Sequence, residues 1–353
     1  MAEKVLMKGN EALAEAAICA GCRHFFGYPI TPQTELAAYM AKVMPKIGGT
    51  YLQAESEIAA INMVLGASAA GVRAMTSSSS PGISLKSEGI SYMAGSDLPG
   101  LIINVQRGGP GLGGIQPSQS DYWQATKATG HGDFQILVFA PSTIQEMIDL
   151  VFTAFDLGDK YRMPAMILLD GMLGQMMEPV VLPEKGKISL TEKPWAADGH
   201  GFKRQHNIIN SLYLDPALLE RTNIQRFERY AAIKETEQRC EEYCTEDADL
   251  VVVAFGASSR ICRNAIVAAR AQGIKAGILR PITLWPFPTD AILQLAQTAK
   301  AFLAVEMSMG QMVEDVKLAV NGAKPVRFYG RTGGIIPSPS EVLEQIKTIA
   351  GGM

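Results

Sequence analysis

A basic stripe, a long apolar run and a cysteine cluster are all missing from this 353-residue chain. Its 32 Lys and Arg stand against 35 Asp and Glu, a net charge of −3. No polybasic arm or cationic face is offered to a phosphate backbone, so nucleic-acid binding is not expected. No apolar run reaches the roughly 18 to 20 residues that span a bilayer. The start MAEKVLMKGN carries Glu3 and no apolar signal core, so neither membrane insertion nor export is expected and the chain reads as cytoplasmic. The 5 cysteines are an odd set, which suits a reducing compartment better than a disulfide scaffold. Cys19 and Cys22 form a CxxC at the end of an Ala-rich helical pattern, and Cys240 and Cys244 lie on an acidic helical pattern. Neither pair places thiolates on converging loops, so no metal or cluster site is expected of them.

The length exceeds what one compact core usually holds, and two domains are expected. Up to residue 183, helical and strand-like patterns alternate. Asn10 stands where it could cap a helix over Glu11 to Ala20 that stops at Gly21. Strand-like RHFFGY follows, then a helix from about Gln33 to Met44. YLQA reads as a short strand, and the segment Glu57 to Ala70 is apolar nearly all round, which predicts a helix buried on every side. VRAMTS, GLIINVQ, QILVFA and PAMILLD are apolar runs of the buried parallel-strand kind. Pro141 and Ser142 with Gln145 offer a capping-box start for a helix to Leu157. Together these predict a doubly wound α/β domain over 1–183. Residues 184–246 break the pattern, with a polar stretch around EKPWAADGHGFKRQHN and a charged helical run from Asp215 to Tyr243, read as a linker arm. A second, smaller α/β domain is expected over 247–353, from DLVVVAFG, a Ser258-capped helix ending at Gly273, IKAGILR, AFLAVEM and PVRFYG. In its last helix Ser338, Pro339 and Glu341 fill the N-cap, N1 and N3 positions.

The chemistry concentrates in a few loops. In FGYPITPQTE, residues 26–35, two prolines hold φ at about −65° and donate no hydrogen bond. The loop is therefore stiff and aims the Thr31 hydroxyl between two rigid elements, although an ordinary strand-to-helix turn reads the same way. In QAESEIAAINMVLGASAAG, Ser56 and Glu57 open an Ala/Gly-rich helix. A carboxylate at a buried helix start is poised by desolvation against the helix dipole, yet a capping Ser and a first-turn acid need no chemistry. TSSSSPG, residues 76–82, reads as a polar loop after VRAM, a site wall or a plain connection alike. Arg107 follows GLIINVQ directly, at the carboxyl edge where parallel sheets collect ligands, and a guanidinium grips carboxylates in a bidentate way. Gly108, Gly109 and Gly111 let backbone approach closely there. GPGLGG, residues 109–114, has the GxGxxG spacing, but Ile115-Gln116-Pro117 interrupts where a helix should open and no acid stands clearly about 20 residues on, so a nicotinamide site is not expected. His131 in GHGD is open to a site-wall or a structural reading.

In this order, YPITP, Ser-Glu before the Ala/Gly helix, TSSSSPG and Arg-Gly-Gly-Pro, the chain resembles over nearly its whole length the α subunit of thiamine-diphosphate-dependent 2-oxoacid:ferredoxin oxidoreductases. TSSSSPGISL at 76–85 and GIQPSQSDY at 114–122 resemble the branched-chain, 2-oxoisovalerate (3-methyl-2-oxobutanoate) type. The resemblance implies a thiamine-diphosphate-binding pyrimidine domain followed by a transketolase C-terminal-like domain, to which no catalytic residue is assigned. It implies oxidative decarboxylation of a branched-chain 2-oxoacid with coenzyme A to acyl-CoA, carbon dioxide and reduced ferredoxin. Glu57 is then the carboxylate against the aminopyrimidine ring, with Glu55 in reserve. Arg107 holds the oxoacid carboxylate, Thr31 its keto or carboxylate oxygens, and Tyr28, Pro29 and Ser79 line the cofactor pocket. The GDG motif with a downstream Asn that normally holds the diphosphate through Mg²⁺ is absent, since Gly132-Asp133 and Gly158-Asp159 lack its surroundings. The resemblance therefore implies half of a site shared with a β subunit, with Mg²⁺ and iron-sulfur clusters on partner subunits, γ and ferredoxin-like subunits beside it, and no activity alone. A non-catalytic assembly subunit and 2-oxoglutarate or pyruvate as the oxoacid stand as alternatives. No cation beyond Arg107 appears in the matched loops for a second carboxylate, which favours an apolar acyl tail.

Overall fold

The computed structural model describes residues 4–183 and 190–352; residues 184–189, with which the expected arm begins, lie outside it. The N-terminal part runs β1 (Val5–Lys8), α1 (Gly9–Cys19), β2 (His24–Gly27), α2 (Thr34–Val43), β3 (Thr50–Gln53), α3 (Glu57–Ala69), β4 (Ala74–Ser78), α4 (Ser80–Gly95) and β5 (Gly100–Gln106). It continues through α5 (Tyr122–Thr126), β6 (Leu137–Phe139), α6 (Ile144–Tyr161), β7 (Pro164–Asp170), α7 (Gly171–Gln175) and β8 (Met177–Val180). Then follow α8 (Pro216–Thr236), β9 (Cys240–Tyr243), β10 (Leu250–Val253), α9 (Gly256–Arg270), β11 (Ala276–Pro281) and β12 (Thr283–Trp285). The chain ends with α10 (Thr289–Thr298), β13 (Ala301–Glu306), α11 (Met312–Val320), β14 (Val326–Gly330) and α12 (Pro339–Ala350).

Two parallel sheets carry the fold. The first has the order β12-β6-β7-β5-β4-β2-β3, parallel except for β12 at its edge. Its central strands β5 and β7 are buried at every position, as apolar strands are when helices cover both faces. From β2 the chain steps to β3 on one side and then crosses to β4 on the other. The order therefore reverses at β2, and in open α/β sheets ligands bind in the crevice outside the carboxyl ends at such a point. The second sheet has the order β14-β13-β10-β11-β9, with only β9 antiparallel. This is the doubly wound α/β architecture with a smaller α/β unit that the alternation of patterns predicts.

Several local expectations are corrected. Asn10 does not cap α1: Lys8 occupies that place, and Asn10 is buried in the first turn, where its amide donates to Pro32 O at 2.8 Å and Glu35 Oε2 at 3.0 Å. α6 is capped by Thr143, whose hydroxyl accepts from Glu146 N, rather than by Ser142 with Gln145. Ser258 lies inside α9, which ends at Arg270. The helical run after Asp215 stops at Thr236, and Cys240 belongs to strand β9 while Cys244 follows it in a left-handed conformation, so neither is helical. Acidic, charged composition matched a helix there, but pairing with β11 decided the outcome. Residues 76–78 are strand, not loop: TSSSSPG is the end of β4 and the start of α4, joined at Ser79. Finally, α3 is not buried on every side. Its Glu57, Ala60, Ile61 and Val64 face inward, while Ile58 remains 48% exposed. The expected Ser338–Glu341 capping box is present.

The GIQPSQSDY stretch joins the two sheets. Gln119 donates to Phe255 O at 2.8 Å and accepts from Ser258 Oγ and Met307 N, and the Tyr122 hydroxyl donates to Asp315 on α11. Arg280 adds a fork to Glu146, at 2.8 and 3.0 Å, in a polar cleft of about 610 Å³. Asp170, at the end of β7, faces the start of α9 and caps α7 by accepting from Met172 N and Leu173 N. Burial pushes its carboxyl from 3.8 up to about 6, opposed by the N–H groups of Leu173, Met172 and Ala257. A raised folded-state value means that its stabilising contribution is complete below 3.8 and is lost as pH climbs through about 6. Urea unfolding of the purified chain should therefore show wild type losing about 3 kcal/mol relative to Asp170→Asn across that window; parallel pH curves would contradict it.

Candidate functional site

The loops that sequence singled out leave the carboxyl ends of β2, β3, β4 and β5, so the parallel sheet alone brings them to one edge. Side chains then stitch them together. Gln33, after YPITP, donates to Tyr28 O and accepts from Ser77 Oγ at 2.6 Å, which ties the β2 loop to β4. The Arg107 guanidinium donates through Nη1 to Thr31 O at 3.0 Å and through Nη2 to Leu112 O at 3.2 Å. Ser80 Oγ accepts from Arg107 N and donates to Asp121 Oδ2 at 2.6 Å, and Asn104 donates to the same oxygen. Burial raises the Asp121 carboxyl, while Ser80, Asn104 and the charge of Arg107 hold it down.

Arg107 is 7% exposed, yet among the described residues no carboxylate stands at ion-pair distance from it and its Nε has no acceptor. A buried guanidinium held only by carbonyls retains capacity for an anion. Glu57 is 6% exposed at the first turn of α3, behind the Ser56 cap, whose Oγ accepts from Ala59 N. A Cβ placed on Gly82 would meet Ser78 Oγ at 2.1 Å and Glu57 Oε1 at 2.7 Å, so only glycine lets α4 begin against that carboxylate. Among the described residues the buried hydroxyls of Thr76, Ser78 and Ser79, at the end of β4 and the start of α4, have no partner, which is costly unless a ligand supplies one.

Glu57, Ser79, Thr31 and Arg107 thus share one edge, with Tyr28, Pro29 and Thr31 exposed on it. Glu55 is exposed, outside the crevice that buries Glu57. His131 is not brought there. Its carbonyl accepts from Ser91 and its ring meets Tyr92, about 16 Å along α4 from Ser80. GPGLGG opens no helix: the loop doubles back, Gly114 N reaching Gly108 O, and the next helix is α5. Asn104 and Asp121 were not singled out by sequence reasoning, and within TSSSSPG, weighed as a site wall or a plain connection, the separate places of Ser78, Ser80 and Gly82 were not readable, because a run of serines gives no sign of which hydroxyl ends a strand and which starts a helix. Among the described residues no group of three or more His, Cys, Asp or Glu could hold a metal ion, and no helix is long and apolar enough to cross a membrane.

Residues 15–245 match the family described as pyruvate flavodoxin/ferredoxin oxidoreductase, thiamine diP-bdg, and residues 248–342 match pyruvate:ferredoxin oxidoreductase core domain II. The chain belongs to the 2-oxoacid:ferredoxin oxidoreductase family. Among its relatives, ketoisovalerate oxidoreductase subunit VorB of Methanothermobacter thermautotrophicus is 49% identical over 98% of this chain and 98% of that protein. The 2-oxoglutarate synthase subunit KorA of Methanothermobacter marburgensis is 37% identical over 98% of this chain and 99% of its own length. A solved 2-oxoglutarate:ferredoxin oxidoreductase from Magnetococcus marinus, with 2-oxoglutarate, coenzyme A and succinyl-CoA bound, superposes with TM-score 0.89 at 30% identity; the alignment covers 99% of this chain and 66% of that one. A split gene transketolase in an inactive beta4 tetramer shares the fold, with TM-score 0.61 at 13% identity. Members of this oxidoreductase family act within multi-subunit enzymes, and the first matched region is a thiamine-diphosphate-binding one.

Proposed function

We propose that this chain is the α-type subunit of a 2-oxoisovalerate:ferredoxin oxidoreductase and supplies the pyrimidine half of a thiamine diphosphate site. The observation that carries the reading is Arg107, a buried guanidinium with no carboxylate at ion-pair distance among the described residues, which is tied directly to the Thr31 loop. The residues on this edge fit the cofactor's pyrimidine: a buried acid, a glycine that lets α4 pack directly against it, and hydroxyls that have no partner among the described residues. When bound, the cofactor supplies the nucleophilic carbon and the electron sink for loss of carbon dioxide. The Glu57 carboxylate would hydrogen-bond the ring nitrogen, and the hydroxyls of Ser78 and Ser79 would orient the ring face. Arg107 grips the oxoacid carboxylate in a fork, and the Thr31 hydroxyl donates to its keto oxygen. Tyr28 and Pro29 form the outer wall.

The remaining parts belong to partners on this reading. A β subunit carries the diphosphate and Mg²⁺, iron-sulfur clusters on β, γ or ferredoxin-like subunits pass electrons to ferredoxin, coenzyme A takes the acyl group, and the chain alone is inactive in the cytoplasm. The name of the 49%-identical relative supports 2-oxoisovalerate as the oxoacid. So does Leu112, 83% exposed on the loop beside Arg107, where a dicarboxylate would need a second cation. The test is to compare 2-oxoisovalerate, pyruvate and 2-oxoglutarate in the assembled complex. At least roughly tenfold preference in kcat/KM for 2-oxoisovalerate is expected; equal use, or preference for 2-oxoglutarate, would overturn the substrate assignment.

A further inference from the structure

Lys86 sits in the middle of α4 with its side chain fully buried. Its ammonium donates to Glu57 O at 3.3 Å, and among the described residues no carboxylate stands at ion-pair distance. Three protons thus meet one carbonyl at the first turn of α3. The inward positions of α4 explain how the group is enclosed. Gly82, one turn before, touches the Glu57 carboxylate, and Gly89, one turn after, admits Ile61 so closely that a Cβ there would lie 2.4 Å from Ile61 Cγ2. The two helices close over the ammonium between these glycines.

Few charges compete for it. α3 carries Glu57 alone, β4 and β5 carry none before Arg107, His24 lies at the far end of β2, and Glu88 and Tyr92 of α4 point outward. Burial lowers Lys86 to about 8, and the Glu57 charge opposes that shift. The group is thus mainly charged at neutral pH. Burying an ammonium against a single carbonyl is costly, and a methionine would fill the same volume without that cost.

We propose that Lys86 is a positioning residue for Glu57: its ammonium fixes the first turn of α3 through the Glu57 carbonyl and is coupled to the carboxylate that the same turn presents. The inference builds on the reading of Glu57 as the pyrimidine acid.

The test uses Lys86→Met in the assembled complex, with Glu57 read by ¹³C-carboxyl NMR before cofactor or oxoacid is added. Glu57 should titrate about one unit higher than in wild type. The acid limb of the kcat profile should move up by the same amount, about tenfold slower turnover on that limb, with the oxoacid KM unchanged. An unmoved Glu57 titration and acid limb in a folded variant overturn the proposal. Should Lys86→Met fail to fold, paired titration of wild-type Lys86 by ¹⁵N and Glu57 by ¹³C decides: mutual shifts support the coupling and independent curves refute it. Because these titrations need no cofactor, their failure leaves the role of Glu57 standing. Full activity of Glu57→Gln would remove that role while leaving the coupling measurable.

Discussion

Glu57→Gln should cost the assembled complex about 10²-fold or more in turnover with 2-oxoisovalerate, the scale of a lost proton-transfer group, while its urea midpoint stays near wild type. Gln keeps the volume of the side chain that packs against Gly82 and Ser78. The Ser56 cap, which accepts from Ala59 N at 3.2 Å, is untouched by the change, so α3 keeps its start. What Gln removes is a group that can carry charge and exchange a proton with the ring. Glu55→Gln is the matched control. Being exposed, it should leave both rate and stability near wild type, and the pair of variants decides between two neighbouring acids that spacing alone left open. Oxoacid-dependent dye reduction measures the effect, and a Glu57→Gln complex at full rate would falsify the assignment.

Arg107→Ala is expected to raise the oxoacid KM steeply and to lower kcat/KM by about 10²-fold or more, in line with the roughly 2–5 kcal/mol that follows removal of one partner of a buried, hydrogen-bonded charge pair. Two losses combine. The fork for the oxoacid carboxylate disappears, and so do the donors that hold Thr31 O and Leu112 O. Arg107→Lys separates them, because an ammonium keeps the charge without the planar fork. It should recover part of the turnover at saturating oxoacid and little of the KM. Steady-state kinetics with 2-oxoisovalerate reads both. If KM stays at the wild-type value in both variants, the guanidinium does not hold the substrate, and an assembly role for the chain gains ground.

The legible part of this protein was its periodicity and its punctuation. Short apolar runs gave the parallel strands, and the Ser338 capping box was readable because caps depend on residues three apart in sequence. Errors fell where long-range contacts compete with local preference. Asn10 has a capping side chain, but its amide is drawn across to Pro32 and Glu35. Ser258 is likewise turned from cap to cross-link by Gln119. The apolar girth of α3 was visible, yet burial depends on neighbours, and Ile58 and Asn62 of α3 stay exposed.

By itself, the sequence marked the residues that we propose carry the chemistry: an acid behind a serine cap, an arginine straight after an apolar strand, a threonine between two prolines. Each is a local arrangement, set by backbone restriction and residue type. Only the tertiary structure decided that they belong together. Parallel strands point their carboxyl ends one way, so residues 31, 57, 79 and 107 meet on one edge. The helix contact that presses Gly82 onto Glu57 and seals Lys86 beneath it depends on the packing of α4 against α3, which no spacing within either segment encodes.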